Sequence, residues 1–257
     1  MICFPNAKIN LGLHITGKRP DGYHSIETIF YPIPLTDALE AVISKKTSFK
    51  QTGIKLESLP ENNLVMKAYS LMEKKYKVPP LDIYLKKTIP SGAGLGGGSA
   101  DAAFTLKLIN DLYKCNISVD KLEEMASSIG ADCPFFIQNK PVIATGTGNI
   151  FKPSGVSLKG YTIYVVKPPI TISTKEAYSN VKPHKPDFSL EKLPSLPVKE
   201  WSNVLKNDFE QGIFEKHPEI GGIKDKLYSL GAEYAAMSGS GSSVFGQIGR
   251  ASCRERV

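Results

Sequence analysis

Residues 90–103 read Pro90-Ser91-Gly92-Ala93-Gly94-Leu95-Gly96-Gly97-Gly98-Ser99-Ala100-Asp101-Ala102-Ala103, five glycines packed against the start of a helical pattern. A backbone this bare can turn several N–H groups toward one point, and a helix N-terminus adds partial positive charge there, which makes the stretch a seat for phosphate. It is not a P-loop, because the residue after the last glycine is Ser99 rather than lysine. Gly92, Gly94 and Gly97 fit Gly-x-Gly-x-x-Gly, a pattern that marks dinucleotide folds only inside a strand–turn–helix–strand unit. The preceding run, Leu81 to Lys87, alternates instead. Leu81, Ile83 and Leu85 share one face and Asp82, Tyr84 and Lys86 the other, which predicts a half-solvated antiparallel strand rather than the doubly buried strand of a Rossmann unit. After the loop, Phe104, Leu108, Ile109 and Leu112 form the apolar stripe of a helix, so the glycines are not a linker.

A chain of 257 residues, 41% hydrophobic and 22% charged, is long enough for two domains, each with its own core. No apolar run is long enough to span a bilayer, and the first residues lack the basic-then-apolar order of a signal peptide, so the expectation is a cytoplasmic protein without a membrane partner. Cys3, Cys115, Cys133 and Cys253 show neither disulfide nor zinc spacing and are expected to be small buried hydrophobes for the most part. The net charge of +7 favours anionic ligands. The candidates are nucleic acid, acidic membranes or phosphorylated small molecules, and composition does not choose among them; no basic run with interleaved aromatics marks a nucleic-acid surface, and ordinary solvated faces account for most of the lysines.

Near the N-terminus, Ile9, Leu11, Leu13 and Ile15 alternate with Lys8, Asn10, Gly12 and His14, so one strand carries a lysine and an asparagine on the same face. Arg19-Pro20-Asp21-Gly22 signals a turn, and Tyr23 and His24 open the returning strand. Leu39–Ile43 reads as a further strand, and Asn62 or Asn63 caps a helix ended by Val78-Pro79-Pro80. Ser118 caps another helix, stopped by Gly130. Asp132 then stands between that helix and an expected apolar strand over Phe135–Ile137. Residues 152–160 read as a linker, Tyr161–Val166 as the start of a second sheet, and 183–197 as an irregular loop. Helical patterns cover 204–214 and 220–230, and Ser238-Gly239-Ser240-Gly241-Ser242-Ser243 makes a second glycine–serine turn before a strand. The order is α+β, without internal repeats.

Three features now stand together: a strand with Lys8 and Asn10, the loop from Pro90 to Ala100, and the turn from Ser238 to Ser243. Jointly they resemble the three motifs of the GHMP small-molecule kinases, over roughly residues 3–248. Pro5-Asn6-Ala7-Lys8-Ile9-Asn10-Leu11, Asp21-Gly22-Tyr23-His24 and Gly130-Ala131-Asp132-Cys133-Pro134-Phe135 are similar to the branch of that superfamily that phosphorylates 4-diphosphocytidyl-2-C-methyl-D-erythritol. The resemblance implies a two-domain fold: an N-terminal half like domain 2 of ribosomal protein S5 (1–152) and a ferredoxin-like C-terminal half (160–248), with the active site between them. It also implies ATP and Mg²⁺, a small-molecule cytidylyl substrate, and a monomer or homodimer.

The residue roles follow from the same resemblance. Asp132 would accept the proton of the 2-hydroxyl. Lys8 would keep that carboxylate ionised and lower the pKa of the hydroxyl. Pro90, Ser91, Gly92, Ala93, Gly94, Leu95, Gly96, Gly97, Gly98, Ser99 and Ala100 would hold the ATP phosphates, with Ser99 near the magnesium ion. Asn10 would position the substrate, Tyr23 and His24 would stack on cytosine and read its edge, and Tyr178 would supply an aromatic on the base's other side.

Three of the four arginines lie in Arg250–Val257, and the segment 249–257 reads as foreign to the body of the protein; with one glutamate they account for two of the seven net positive charges. Family members continue past the third motif with a helix and a strand, so the second domain is expected to be truncated. A version carrying those elements should unfold at higher urea than this chain; equal midpoints and slopes would refute the expectation.

Overall fold

The alternation over Leu81–Lys87 becomes a strand of those bounds, with Leu81, Ile83 and Leu85 buried and Tyr84 and Lys86 exposed. In the computed structural model, which describes residues 1–55, 63–179 and 181–249, the strands are β1 (Ile2–Cys3), β2 (Asn6–Lys18), β3 (His24–Thr36), β4 (Ala38–Ile43), β5 (Ser48–Gly53), β6 (Leu81–Lys87), β7 (Val142–Thr145), β8 (Ile150–Pro153), β9 (Tyr161–Val166), β10 (Tyr234–Met237) and β11 (Val244–Gly249). The helices are α1 (Leu64–Tyr76), α2 (Gly97–Leu112), α3 (Val119–Ser127), α4 (Phe135–Gln138), α5 (Thr174–Tyr178), α6 (Glu210–Lys216) and α7 (Pro218–Ser229). Arg250–Val257, including Cys253, lie outside the described residues, as does Asn62.

The chain forms two compact units interleaved in sequence. Met1–Lys8, Pro32–Ser91 and Gly96–Lys140 make the first; Ile9–Tyr31, Gly92–Leu95 and the chain from Pro141 onward make the second. In the first unit a sheet of order β1-β4-β6-β5 pairs β6 antiparallel to β4 and parallel to β5, so the expected antiparallel partner is present on one side only. Leu39, Ala41, Ile83 and Leu85 are buried from the sheet; Val65, Ala68, Tyr69 and Met72 from α1; Leu106 and Ile109 from α2, which packs on α1. Each of the leucines, isoleucines, valine and methionine among them contributes about 1.5–3 kcal/mol, and each alanine less. Asn63 caps α1 by accepting from Val65 N at 2.9 Å, and Lys77 in the left-handed region ends it before the prolines. In α2 the burial spreads beyond the predicted stripe: Ala100, Ala102, Ala103 and Leu106 are buried, while Phe104 and Leu112 are only half-buried.

Phe135–Ile137 is a helical turn, not the expected strand: Pro134 begins it, and Asn139 at φ 56° closes it by donating its N–H to Phe135 O. The three apolar residues therefore project around a turn instead of alternating. Among Cys3, Cys115 and Cys133, which are all free, only Cys133 is fully buried. Burial pushes the Cys3 thiol up to about 12 and the Cys133 thiol up to about 11.

In the second unit the sheet order β2-β3-β7-β8 is antiparallel from β3 through β8, and a second sheet, β10-β11-β9, is antiparallel throughout. Helix α7 covers the latter, and Ile213, Ile220, Leu227, Met237, Val244 and Ile248 lie in the shared core. The helix expected over 204–214 is confined to Glu210–Lys216. Upstream, Asn207 and Asp208 spend their side chains on other backbone groups, Asn207 Oδ1 accepting from Phe209 N and Asp208 Oδ2 from Ile15 N. No described helix is long and apolar enough to cross a membrane.

The first unit also buries three charges together. Lys87 Nζ donates to Asp37 Oδ2 and, at 2.8 Å, to Asp101 Oδ2, with all three side chains almost wholly enclosed. Burial raises the Asp101 carboxyl to about 7; Lys87 pulls it down and Asp37 pushes it further up. The folded protein thus holds this proton more tightly than the unfolded chain, and the group's contribution to stability declines as pH rises from about 4 toward 7. Lys87→Met removes the compensating cation and is expected to cost about 3–5 kcal/mol near neutral pH, with a smaller loss near pH 5, measured by urea unfolding at both. A wild-type midpoint for this variant at both pH values contradicts the account.

Candidate active site

Helix α2 begins at a glycine because nothing else fits. Gly96, its N-cap, lies at φ 70°, and a Cβ there would stand 2.9 Å from the Phe136 ring and 3.2 Å from Lys8 Cγ. The stem of Lys8 therefore passes against the helix start. Its ammonium lies 3.5 Å from Asp132 Oδ2, with Lys8 almost fully buried and the carboxylate one-third exposed. Asp132 is held in the turn that leads into α4, where Cys133 N donates to Gly130 O and Phe136 N to Cys133 O. The first turn of α2 has no side-chain cap and no acidic residue, so its N–H groups and the positive end of the helix dipole are left for a ligand. Ser99, in that turn, hydrogen-bonds the Cys133 thiol next to Asp132. Among the first-unit residues, then, the structure brings Lys8, Asp132, Ser99 and the Gly96–Gly98 end of the loop together.

The other end of the loop belongs to the second unit. Gly94, at φ 74°, runs so close to the third motif that a Cβ would fall 1.8 Å from Ser238 O. Ser238 Oγ donates to Gly94 O at 2.9 Å, Ser243 N donates to Ala93 O at 3.3 Å, and Asn10 N donates to Ser238 Oγ at 3.3 Å. Two glycine turns far apart in sequence are thus fastened backbone to backbone. Asn207 fixes the same turn by donating through Nδ2 to Met237 O at 2.8 Å and Gly239 O at 2.9 Å. Asn10, expected to position substrate, is buried and donates its side-chain amide to Thr28 Oγ1 at 3.0 Å.

The aromatic residues of the second unit divide. His24 and Tyr178 stack on each other with centroids 4.7 Å apart and planes 24° from parallel, and Tyr178 meets the Phe209 ring edge-on at 4.8 Å. In this arrangement the two rings touch each other and leave no gap for an intervening base. Tyr23 is 68% exposed, at a turn where Asp21 Oδ1 accepts from Tyr23 N and pairs with Arg19. That backbone N–H, with Arg19, holds the Asp21 carboxyl below its ordinary value.

Sequence reasoning missed the Asp37–Lys87–Asp101 cluster, though a signal existed. The period of 2 that buries Leu81, Ile83 and Leu85 puts Lys87 on the same face, and a lysine there requires a partner. Asp37 also accepts from the backbone N–H groups of Thr88 and Ile89, at the entrance to the loop. Asn207 was missed as well, and its role depends on which carbonyls approach it.

Residues 63–140 match the GHMP kinases N terminal domain and residues 193–250 the GHMP kinases C terminal domain. The chain is 61% identical over 246 residues to a 4-diphosphocytidyl-2-C-methyl-D-erythritol kinase of Parabacteroides distasonis, covering 96% of this chain and 91% of the relative. With the enzyme of that name from Bacteroides fragilis it shares 59% identity over 250 residues, with the same coverage. A crystal structure of 4-(cytidine 5'-diphospho)-2C-methyl-D-erythritol kinase superposes with a TM-score of 0.84 at 31% identity, over 99% of this chain and 93% of that one. With the motifs, the fold and these relatives in agreement, the chain belongs to the 4-diphosphocytidyl-2-C-methyl-D-erythritol kinase family of the GHMP kinases.

Proposed function

We propose that the protein transfers the γ-phosphoryl group of ATP to the 2-hydroxyl of 4-diphosphocytidyl-2-C-methyl-D-erythritol, a step of non-mevalonate isoprenoid precursor synthesis. The observation that carries this reading is the Lys8–Asp132 pair at 3.5 Å, packed through the lysine stem against the uncapped start of α2. Phosphoryl transfer demands positioning and charge neutralisation more than covalent chemistry. Asp132, partly open to solvent, accepts the hydroxyl proton as the oxygen attacks. Lys8 beside it places a positive charge next to the oxygen that develops negative charge as the hydroxyl attacks. The backbone N–H groups of Pro90–Ala100 and the α2 N-terminus take the ATP phosphates. Ser99 and Asp132 offer the hard oxygen donors that suit Mg²⁺ and are the residues that would hold it; when bound, the ion neutralises phosphate charge.

In the second unit, His24, backed by the stacked Tyr178, presents its other face to the cytosine ring together with Tyr23, and Asn10 positions substrate by ordering the turn at Ser238. The N-terminal region 1–152 carries ATP binding and 160–248 the second kinase domain. The enzyme acts in the cytoplasm on a small molecule, with no nucleic acid or membrane as partner.

ADP release coupled to turnover tests the reading, comparing 4-diphosphocytidyl-2-C-methyl-D-erythritol with homoserine and mevalonate. Only the cytidylyl substrate should turn over, and Asp132→Asn should lower kcat by about a hundred- to ten-thousandfold. Preferential turnover of homoserine or mevalonate would overturn the substrate assignment. His24→Ala should raise KM for the cytidylyl substrate by about 5- to 100-fold, the value of one stacked base, with a smaller change in kcat. An unchanged KM would remove His24 from base recognition.

A further inference from the structure

His14 is the buried polar residue of β2 that phosphoryl transfer leaves unused. It is 5% exposed, and neither ring nitrogen makes a hydrogen bond, although burying an unpartnered imidazole is costly. Its Nδ1 points to within 3.4 Å of Asp208 Oδ1, and His184 Nδ1 lies 3.5 Å from Asp208 Oδ2. The two imidazoles stand at 89°, with centroids 5.9 Å apart. One ligand atom from each of the three residues falls within 4.8 Å of the others.

The backbone builds this cluster around a single strand. Asp208 N donates to Leu13 O at 2.9 Å, Leu13 N to Lys206 O at 2.8 Å, and His184 N to Ile15 O at 2.9 Å. Ile15 N in turn donates to Asp208 Oδ2 at 2.7 Å, orienting the carboxylate. Both non-sequential members are thus fixed to the residues flanking His14, and pre-fixed ligands with an oriented carboxylate are what a metal site requires.

We propose that His14, His184 and Asp208 form a binding site for a divalent transition metal of the zinc class, with a fourth position open to water. Two imidazoles and one carboxylate suit Zn²⁺, Co²⁺ or Ni²⁺ and not Mg²⁺, which prefers an all-oxygen shell. Ligands about 2.0–2.2 Å from a tetrahedral ion stand about 3.3–3.5 Å apart; each imidazole Nδ1 already stands at that distance from one oxygen of Asp208, His14 from Oδ1 and His184 from Oδ2, so a small closure of the trio completes the set. The site is separate from the phosphoryl-transfer residues but adjoins two structural ones: Asn207 holds the Ser238 turn, and Phe209 packs on Tyr178. Occupancy therefore ties down the segment that carries both.

The test uses the full chain stripped with a chelator, titrated with Zn²⁺ by calorimetry and with Co²⁺ by visible absorption. One equivalent should bind, with a four-coordinate cobalt spectrum free of thiolate charge-transfer bands, and Zn²⁺ should raise the unfolding temperature. His184→Ala, at a half-exposed position, keeps the fold and should weaken binding by at least about a hundredfold and abolish the thermal shift. Absence of one-equivalent binding, thiolate bands, or undiminished affinity in H184A would overturn the site and leave the trio as a protonation-dependent His–Asp ion pair.

Discussion

The buried ammonium of Lys87 holds the stems of the glycine loop. It bonds Asp37 on one side and Asp101 on the other, while Asp37 also accepts from the backbone of Thr88 and Ile89. Lys87 ends the strand that leads into the loop, Thr88 and Ile89 follow it, and Asp101 lies in the helix that leaves the loop, so one set of charge-assisted bonds fixes the two ends between which Pro90–Gly96 is strung. A loop this rich in glycine has few internal means of holding its shape. Here the shape is set by its stems, at the expense of two carboxylates sharing one buried cation.

Glycine in this loop answers two constraints besides flexibility. At Gly94 and Gly96 the backbone lies in the left-handed region, and neighbours fill the space a side chain would occupy: Ser238 O in one case, Phe136 and the Lys8 stem in the other. The second contact has a chemical consequence. Because the Lys8 stem lies flat against Gly96, its ammonium is delivered to Asp132 while staying desolvated, and a desolvated cation acts more strongly on a nearby carboxylate. The uncapped start of α2 and the Lys8–Asp132 pair are therefore products of a single packing arrangement within the first unit.

In the second unit the organising groups are carbonyl oxygens. Gly94 O receives Ser238, Met237 O and Gly239 O receive Asn207, and Leu13 O receives Asp208 N. Each bond joins segments distant in sequence, so the Ser238 turn, the Asn207–Phe209 segment and β2 are ordered together. Cation binding at His14, Asp208 and His184 would reinforce the same junction.

The sequence alone determined those features whose cause is local. The alternation over Leu81–Lys87 is β6, Ser118 and one of the two candidate asparagines, Asn63, cap their helices, and the five glycines run into the uncapped start of α2, because periodicity, capping and backbone freedom act over a few residues. Motif order, read with the resemblance, supplied Lys8 and Asp132 as partners. The tertiary structure decided what depends on distant neighbours. Phe135–Ile137 is a helical turn because Pro134 and Asn139 bracket it, and Asn207 and Asp208 stay outside a helix because carbonyls and a strand N–H elsewhere in the chain claim their side chains. His24 and Tyr178 pack ring on ring, and Lys87 becomes the centre of a buried charge cluster. These outcomes rest on hydrogen bonds and ion pairs made across long sequence separations, whose partners are chosen by packing and not by local pattern.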